Sequence, residues 1–263
     1  MREERISVNS LLVNYKVAGE GEPVLILHGW GGSSDSWIKV QALLAKKGYQ
    51  IIVPDFPGFG LSVTPANPFS VQDYVDWLNA FIKEIEITYG ESIRPFYLIG
   101  HSFGGRVAIK FANQNPDKIK KLVFCNSAGI KSDPDLSTKI VFTLARIGNA
   151  IFSPKILSRF KDSVRSFFYL FLRNKDYVKA KGTMQETMKK VISEDLISDL
   201  VNIQNPTLIV WGEEDKIVPV RYAYIFQAKL KNSELKVLSE IGHSPHLEDP
   251  ELLAEIVHSF LKP

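Results

Sequence analysis

The chain of 263 residues contains a single cysteine, Cys125, and carries little net charge. One cysteine excludes an internal disulfide, and its place in the apolar run 121–126 predicts a buried strand residue rather than a reactive thiol. The 32 Lys and Arg residues nearly balance the 29 Asp and Glu residues, which argues against a nucleic-acid partner or a strongly acidic one. No run of about 18 consecutive apolar residues occurs, so we expect no transmembrane helix.

The first residues, Met-Arg-Glu-Glu-Arg, are charged and mixed in sign, and no apolar segment typical of a signal peptide follows them. We therefore expect a cytoplasmic protein without stable membrane insertion. Hydrophobic residues make up 45% of the chain, which is enough for a sizeable core. The length fits one large α/β domain with an insertion and does not require two independent domains.

Short apolar runs alternate with segments of helical periodicity along most of the chain. The runs lie at 24–27, 51–53, 95–99, 119–125, 206–211 and 235–238, and alternating polar and apolar residues at 5–18 predict an antiparallel hairpin. Wholly apolar runs are typical of buried parallel strands. The pattern predicts an α/β fold with a mostly parallel, eight-stranded sheet flanked by helices on both faces.

This alternation stops between residues 131 and 204, where helical spacing with scattered Pro and Gly replaces the short strands. We predict a helical cap at 131–204, inserted between the sixth and seventh strands of a core domain formed by 1–130 and 205–263. The cap contains more Lys and Arg than Asp and Glu. This basic excess either attracts anionic ligands to the entrance of a site or belongs to a solvated helical surface.

The motif Gly-His-Ser-Phe-Gly-Gly at 100–105 joins the strand at 95–99 to a segment with helical spacing. Ser102 therefore lies on a tight strand-to-helix turn. Such a turn strains the backbone and brings strand and helix close together, which explains Gly100 and Gly104 two residues before and after the serine. The free N–H groups of the new helix face any anion formed beside the hydroxyl, so Ser102 can attack an acyl carbon.

Two other glycine-rich loops do not fit a cofactor site. The loop at 28–32 lacks the Gly-Lys-Ser/Thr of a P-loop. The loop at 55–60 has two glycines at dinucleotide spacing, but Val63 replaces the third and nearby prolines prevent a helix from opening there. His243 and His246 have the spacing of a metal pair without a matched third ligand. We expect no cofactor and no metal.

Loops at the carboxyl ends of parallel strands meet at one edge of the sheet, and four predicted loops of this kind carry His28-Gly-Trp30, Ser102, Asp215 and His243. The order Ser, Asp, His after a Gly-x-Ser-x-Gly turn resembles the α/β-hydrolase superfamily. The resemblance extends over nearly the whole chain and includes Gly-Glu-Glu-Asp-Lys-Ile-Val-Pro from residue 212 and Gly-His-Ser-Pro-His-Leu-Glu-Asp-Pro from residue 242. It implies a capped serine carboxylesterase.

In this chemistry His243 accepts the proton of Ser102, while Asp215 holds the imidazole and stabilises its charged form. The N–H of Phe103 supplies one oxyanion donor by the geometry of the motif, and the resemblance assigns the other to the N–H of Trp30.

Other residues compete for two of these roles. Glu213 and Glu214 also follow the strand, and His246 lies three residues after His243. The resemblance favours Asp215 as the acid and the first histidine as the base.

Serine on the turn favours acyl transfer, because the haloalkane dehalogenases and epoxide hydrolases of this fold have Asp there. We therefore predict cleavage of carboxylic esters of small to medium apolar acyl groups, which makes a small-molecule ester the expected partner. The predicted substrate pocket is lined by Trp30, Phe142, Phe168, Phe171 and Val218.

Two alternatives remain open. The chain is similar to the C–C bond hydrolases of ring-cleavage pathways, but those have Asn before the serine and Trp after the histidine, where this chain has His101 and Ser244. A small-ligand receptor that keeps the triad is the other alternative. The sequence leaves the oligomeric state open.

Overall fold

The computed structural model describes residues 1–90, 92–93, 95–131 and 182–262. The chain divides into two compact units, Met1–Ile130 with Gly182–Pro263 and Lys131–Lys181. The first unit contains the sheet and also the segment 182–204, which the sequence assigned to the cap. The predicted extent of the cap stays a prediction, because most of it lies outside the described residues.

The sheet has eight strands in the order β1-β2-β4-β3-β5-β6-β7-β8. Strand β1 pairs antiparallel with β2, and β2 with β4, whereas every pairing from β4 to β8 is parallel. The predicted hairpin and the mostly parallel sheet are thus confirmed. The strands are β1 (Arg2–Val8), β2 (Leu11–Ala18), β3 (Glu22–Leu27), β4 (Tyr49–Pro54), β5 (Phe96–His101), β6 (Ile119–Cys125), β7 (Thr207–Gly212) and β8 (Ser233–Leu238).

Helices connect the strands, and two short 3₁₀ turns accompany them at Ser34–Trp37 and Pro116–Lys118. The 3₁₀ turn at Ser34–Trp37 leads directly into the first helix. The helices are α1 (Ile38–Ala45), α2 (Val71–Tyr89), α3 (Phe103–Gln114), α4 (Thr183–Ser193), α5 (Ile197–Leu200), α6 (Arg221–Lys229), α7 (Pro245–Glu248) and α8 (Pro250–Leu261). In the described ranges, no helix combines the length and the apolar character needed to cross a membrane.

Helix α2 shows how the sequence specifies an element and its buried face. The Ser70 side chain accepts from the N–H of Asp73, whose carboxylate accepts from the N–H of Ser70, so both partners of a capping box are present. Gly90, at φ 70°, ends the helix in the left-handed conformation. Burial of a large apolar side chain stabilises the fold by about 1.5–3 kcal/mol relative to its exposure. The buried residues of α2 are Val71, Tyr74, Val75, Trp77, Leu78, Phe81, Ile82 and Ile85.

Two hydrophobic cores lie on opposite faces of the sheet, as the pleat requires. In β3, Leu25 and Leu27 belong to the core that contains α2 and α3, while Val24 and Ile26 belong to the core that contains α1 and α8. Because both faces are covered, the inner parallel strands are buried over most of their length, whereas the edge strand β8 alternates exposed and partly buried residues.

Candidate active site

Ser102 occupies a strained turn between β5 and α3, with φ 50° and ψ −115°. A positive φ at a residue other than glycine costs on the order of 1–3 kcal/mol and needs support from its surroundings. The N–H of Ser102 donates to the carbonyl of Cys125 at 3.3 Å, and its own carbonyl accepts from Gly105 and Ala128, each at 3.0 Å. The prediction of a tight strand-to-helix turn at Ser102 is confirmed.

Close packing around this turn explains its glycines. A Cβ at Gly100 would lie 2.8 Å from the Cβ of Ala108, and one at Gly104 would lie 2.7 Å from the carbonyl oxygen of His28. Real Cβ atoms do not approach other atoms so closely. The turn can therefore hold the serine against β3 and α3 only with glycine at both positions.

The structure brings Ser102, His243 and Asp215 together from the ends of β5, β8 and β7. The Oγ of Ser102 lies 3.0 Å from Nε2 of His243, and Nδ1 of His243 lies 2.7 Å from Oδ2 of Asp215. The carboxylate only accepts, so Nδ1 carries the proton and Nε2 is left to accept from the serine hydroxyl. This order of contacts is the one that proton transfer from serine to histidine requires.

Asp215 is held by four donors, and its side chain is fully buried. The N–H groups of Ile217 and Val218 donate to Oδ1, each at 2.8 Å. The other oxygen, Oδ2, accepts from His243 and from Nδ2 of Asn126 at 2.6 Å. Such a set of donors gives both carboxylate oxygens hydrogen-bond partners and fixes which oxygen faces the histidine. Glu213 and Glu214, the competing acids, are exposed.

The loop that carries His243 is held through its main chain. Glu248 accepts from the N–H of Gly242 at 2.6 Å and from that of Ser244 at 2.8 Å. Its carboxylate therefore binds the main chain on both sides of His243. Nε2 of His101 donates to the carbonyl of His243 at 2.9 Å. The flexibility of this loop is restricted on both sides of the imidazole.

The sequence alone does not reveal the contacts of Asn126, His101 and Glu248. Asn126 cannot act as the acid, yet its position directly after a buried strand places it at the same edge of the sheet. Glu248 belongs to the motif that starts at residue 242, but nothing in that motif indicates which main-chain groups its carboxylate binds. Its role appears only when helix α7 turns back on the loop at 242–244.

The remaining histidines of this edge are buried and neutral. His28 accepts from the N–H of Phe56 through Nε2 at 3.0 Å and contacts the carbonyl of Gly29 through Nδ1 at 2.7 Å. His246 stacks on Trp37 with ring centroids 4.4 Å apart. Burial lowers the pKa of His28, lowers that of His101 well below its usual range, and lowers the pKa of His246 to about 3. A second ring proton on any of these three histidines is therefore disfavoured.

A metal site does not emerge at this edge. Among the described residues, no group of three or more His, Cys, Asp or Glu side chains is arranged to hold an ion. His246 instead packs within the ring cluster of Trp37 and His101.

The backbone of the 28–32 loop lies beside the serine. A Cβ at Gly29 would lie 3.2 Å from the Cβ of Ser102, so the peptide that leads to Trp30 borders the Ser102 side chain. Phe103 is the first residue of α3, where an N–H has no partner within the helix. The rings of Trp30 and Phe103 contact each other at a centroid distance of 5.4 Å. The main chain at Gly29 and at Phe103 thus lies next to Ser102.

The predicted pocket residues divide into two groups. Trp30 and Val218 are half-buried at this edge, and the N–H of Val218 supports Asp215. Phe142, Phe168 and Phe171 lie outside the described residues. The acyl pocket therefore stays a prediction.

Known proteins resemble the chain over almost its full length. A model described as the alpha/beta hydrolase fold matches residues 22–250. The chain is 27% identical over 271 residues to 2-hydroxy-6-oxo-6-(2'-aminophenyl)hexa-2,4-dienoic acid hydrolase of Metapseudomonas resinovorans, covering 98% of this chain and 90% of that protein. It is 27% identical over 265 residues to a monoacylglycerol lipase of Rattus norvegicus, covering 92% and 76%. An esterase structure from Exiguobacterium antarcticum superposes with a TM-score of 0.73 at 24% identity, covering 100% of both chains.

Proposed function

Because the chain belongs to the alpha/beta hydrolase fold family, we propose that it is a serine hydrolase that cleaves carboxylic esters of small to medium apolar acyl groups through an acyl-enzyme intermediate. One observation carries the proposal: the continuous contact from Ser102 Oγ to His243 Nε2 at 3.0 Å, and from His243 Nδ1 to Asp215 Oδ2 at 2.7 Å.

In the proposed reaction, His243 takes the proton of Ser102 as the serine oxygen attacks the ester carbonyl. The N–H groups of Phe103 and Trp30 stabilise the oxyanion of the tetrahedral intermediate. The imidazolium then returns its proton to the leaving alcohol, and an acyl-serine remains. Water, deprotonated by the same histidine, hydrolyses the acyl-serine and restores the enzyme. Asp215 stays charged throughout and stabilises the imidazolium in both half-reactions.

The relatives support two bond types. The monoacylglycerol lipase of Rattus norvegicus favours an ester. The Metapseudomonas resinovorans protein is named for a dienoic acid substrate and favours C–C hydrolysis as the second candidate. The present chain departs from the C–C hydrolases at His101 and Ser244. His101 holds the carbonyl of His243, so the difference lies directly beside the proposed base.

A substrate panel with Ser102→Ala tests the proposal. We expect the wild-type enzyme to hydrolyse p-nitrophenyl esters from acetate to decanoate with a maximum at short or medium chains. Ser102→Ala should lower kcat at least 1,000-fold because the nucleophile is missing, an effect on the order of 4 kcal/mol in activation free energy. Ser193→Ala is a matched control, since that hydroxyl donates to the carbonyl of Lys190 at the exposed end of α4. Full ester hydrolysis by Ser102→Ala would reject the serine mechanism.

The same panel separates the alternatives. If the enzyme turned over a coloured vinylogous diketone with a kcat/KM well above that of every ester, C–C hydrolysis rather than ester cleavage would be its proposed function. A single sluggish turnover, together with a ligand-induced rise in Tm and binding of a partner protein, would favour a receptor.

A further inference from the structure

We infer that Asn126 is a positioning residue for the proposed triad, which fixes the Asp215 carboxylate and ties it to the loop that carries His243. The inference rests on the proposed function and extends it to a residue outside the triad.

Asn126 joins three separate segments at the active edge. Its side chain donates to Oδ2 of Asp215 at 2.6 Å and to the carbonyl oxygen of Gly242 at 3.1 Å. Its own Oδ1 accepts from the N–H of Gly212 at 3.3 Å. The residue is fully buried. Both N–H groups and the carbonyl of the Asn126 side chain therefore have protein partners.

The backbone conformation of Asn126 favours asparagine at this position. Its φ is 43°, in the left-handed region, where Asn and Asp are several times more frequent than most residues. The N–H of Asn126 donates to the carbonyl of Val210 at 3.0 Å, which continues the pairing of β6 with β7. The strained conformation is thus locked by the sheet, and the side chain starts from a fixed point.

The two oxygens of Asp215 are held in different ways. Oδ1 accepts from two main-chain N–H groups, but Oδ2 accepts from side chains alone, Asn126 and His243. Without the asparagine, Oδ2 would keep its contact with His243 and lose the one that does not involve the proposed base. Because Asn126 also holds Gly242, the residue before His243, it sets the acid and the base relative to each other. An amide does this without adding a charge to the pair.

The test measures kcat and KM for a p-nitrophenyl ester, together with the rate at which an alkyl fluorophosphonate labels Ser102. Asn126→Gly removes all three hydrogen bonds and tolerates the positive φ. His243 acts in acylation and deacylation alike, so we expect kcat and the labelling rate to fall 10- to 100-fold while KM stays within about twofold.

Asn126→Asp keeps the size of the side chain but places a second carboxylate beside Asp215. A nearby negative charge favours the protonated imidazole, so the acid limb of the kcat/KM profile should move to higher pH by about one unit. This shift reports that residue 126 faces the acid and the histidine, whereas the fall in kcat and in the labelling rate reports its positioning role. If Asn126→Gly fails to fold, Asn126→Ser, whose hydroxyl can donate only one of the two hydrogen bonds, replaces it in the kcat and labelling measurements.

Asn113→Gly is the matched control. Its Nδ2 donates to the carboxylate of Asp199 at 2.9 Å, the same kind of contact, about 16 Å along α3 from the serine. We expect it to lower Tm and leave kcat within about threefold of wild type. Wild-type kcat and labelling rate in Asn126→Gly, or in Asn126→Ser where the glycine variant does not fold, would overturn the inference, and so would an equal loss in the control. The labelling rate reports activation of Ser102 whatever the substrate, so a failed ester panel leaves the inference testable.

Discussion

Replacing Gly104 with alanine tests whether the close approach of β3 and α3 serves the reaction as well as the fold. A Cβ there would lie 2.6 Å from the carbonyl carbon of Leu27 and 2.7 Å from the carbonyl oxygen of His28, whereas ordinary contact begins at 3.4 Å. The obstacle is main chain, which cannot rotate away as a side chain does. Relief therefore requires about 1 Å of separation between the end of β3 and the start of α3.

Two opposing contributions set the change in the free energy of unfolding. Alanine is favoured over glycine in a helix by about 1 kcal/mol, and overpacking costs about 1–3 kcal/mol. Because the atoms in the way belong to the main chain, the overpacking cost at Gly104 should lie near the top of its range. We therefore expect a net destabilisation of about 1–2 kcal/mol. For a chain of this size, each kcal/mol lowers Tm by about 2–4 °C.

The same displacement acts on the proposed oxyanion site. The loop after His28 carries the N–H of Trp30, while α3 begins with the N–H of Phe103, so separating β3 from α3 moves one donor away from the other. A displacement of 1 Å at a reacting centre costs on the order of 100-fold, and we expect that loss in kcat with KM little changed. Initial rates on a p-nitrophenyl ester and thermal unfolding by circular dichroism measure the two effects separately.

Gly90→Ala is the control for this experiment. Gly90 has φ 70°, and a Cβ there meets no atom within 4 Å, so alanine strains the backbone without pushing on the site. It should cost about 1 kcal/mol of stability and leave kcat at the wild-type value. Wild-type kcat in Gly104→Ala would refute the link between the glycine and the oxyanion donors, whatever its Tm.

Three further predictions concern the acid, the buried histidines and a helix cap. Asp215→Asn should lower kcat about 10,000-fold near neutral pH, because the amide no longer selects the His243 tautomer; an effect below tenfold in stopped-flow acylation would contradict this. Burial lowers the pKa of His101 and His246, the latter to about 3, so below pH 6.5 the unfolded chain takes up protons that the folded state refuses. Stability should therefore fall as pH drops from 6.5 toward 3, by up to about 1.4 kcal/mol per pH unit for each histidine, and His246→Phe should flatten the slope in urea titrations. Ser70→Ala removes one partner of the capping box and should cost about 1 kcal/mol without changing kcat; a changed kcat would show that α2 is coupled to the site.

The order of strands and helices followed from patterns only a few residues long. Apolar runs predicted the parallel strands, and the glycine spacing around Ser102 predicted the turn that the structure contains at φ 50°. The chemical assignments of Asp215 and His243 needed the resemblance, because Glu213, Glu214 and His246 fit the local pattern as well. Their geometry became visible only when β5, β7 and β8 were placed in one sheet.

Other features of the site had no local pattern to find. Asn126 contacts Asp215 across 89 residues of chain and Gly242 across 116, and His101 reaches the carbonyl of His243 across 142. Glu248 is near in sequence, yet it holds the histidine loop only because α7 folds back on that loop. These contacts decide how firmly the proposed base and acid are held.

By itself, then, the sequence determined the α/β class, the strand-to-helix turn and the residue types available for acyl chemistry, because periodicity and glycine spacing are local properties of a chain. Tertiary structure alone decided which side chains meet, since a hydrogen bond between strand ends depends on strand order and register. Asn126 shows the difference most clearly. The sequence gives its residue type, but not its partners. Gly212 ends β7, while Asp215 and Gly242 lie in two loops, and only the folded sheet brings all three to Asn126.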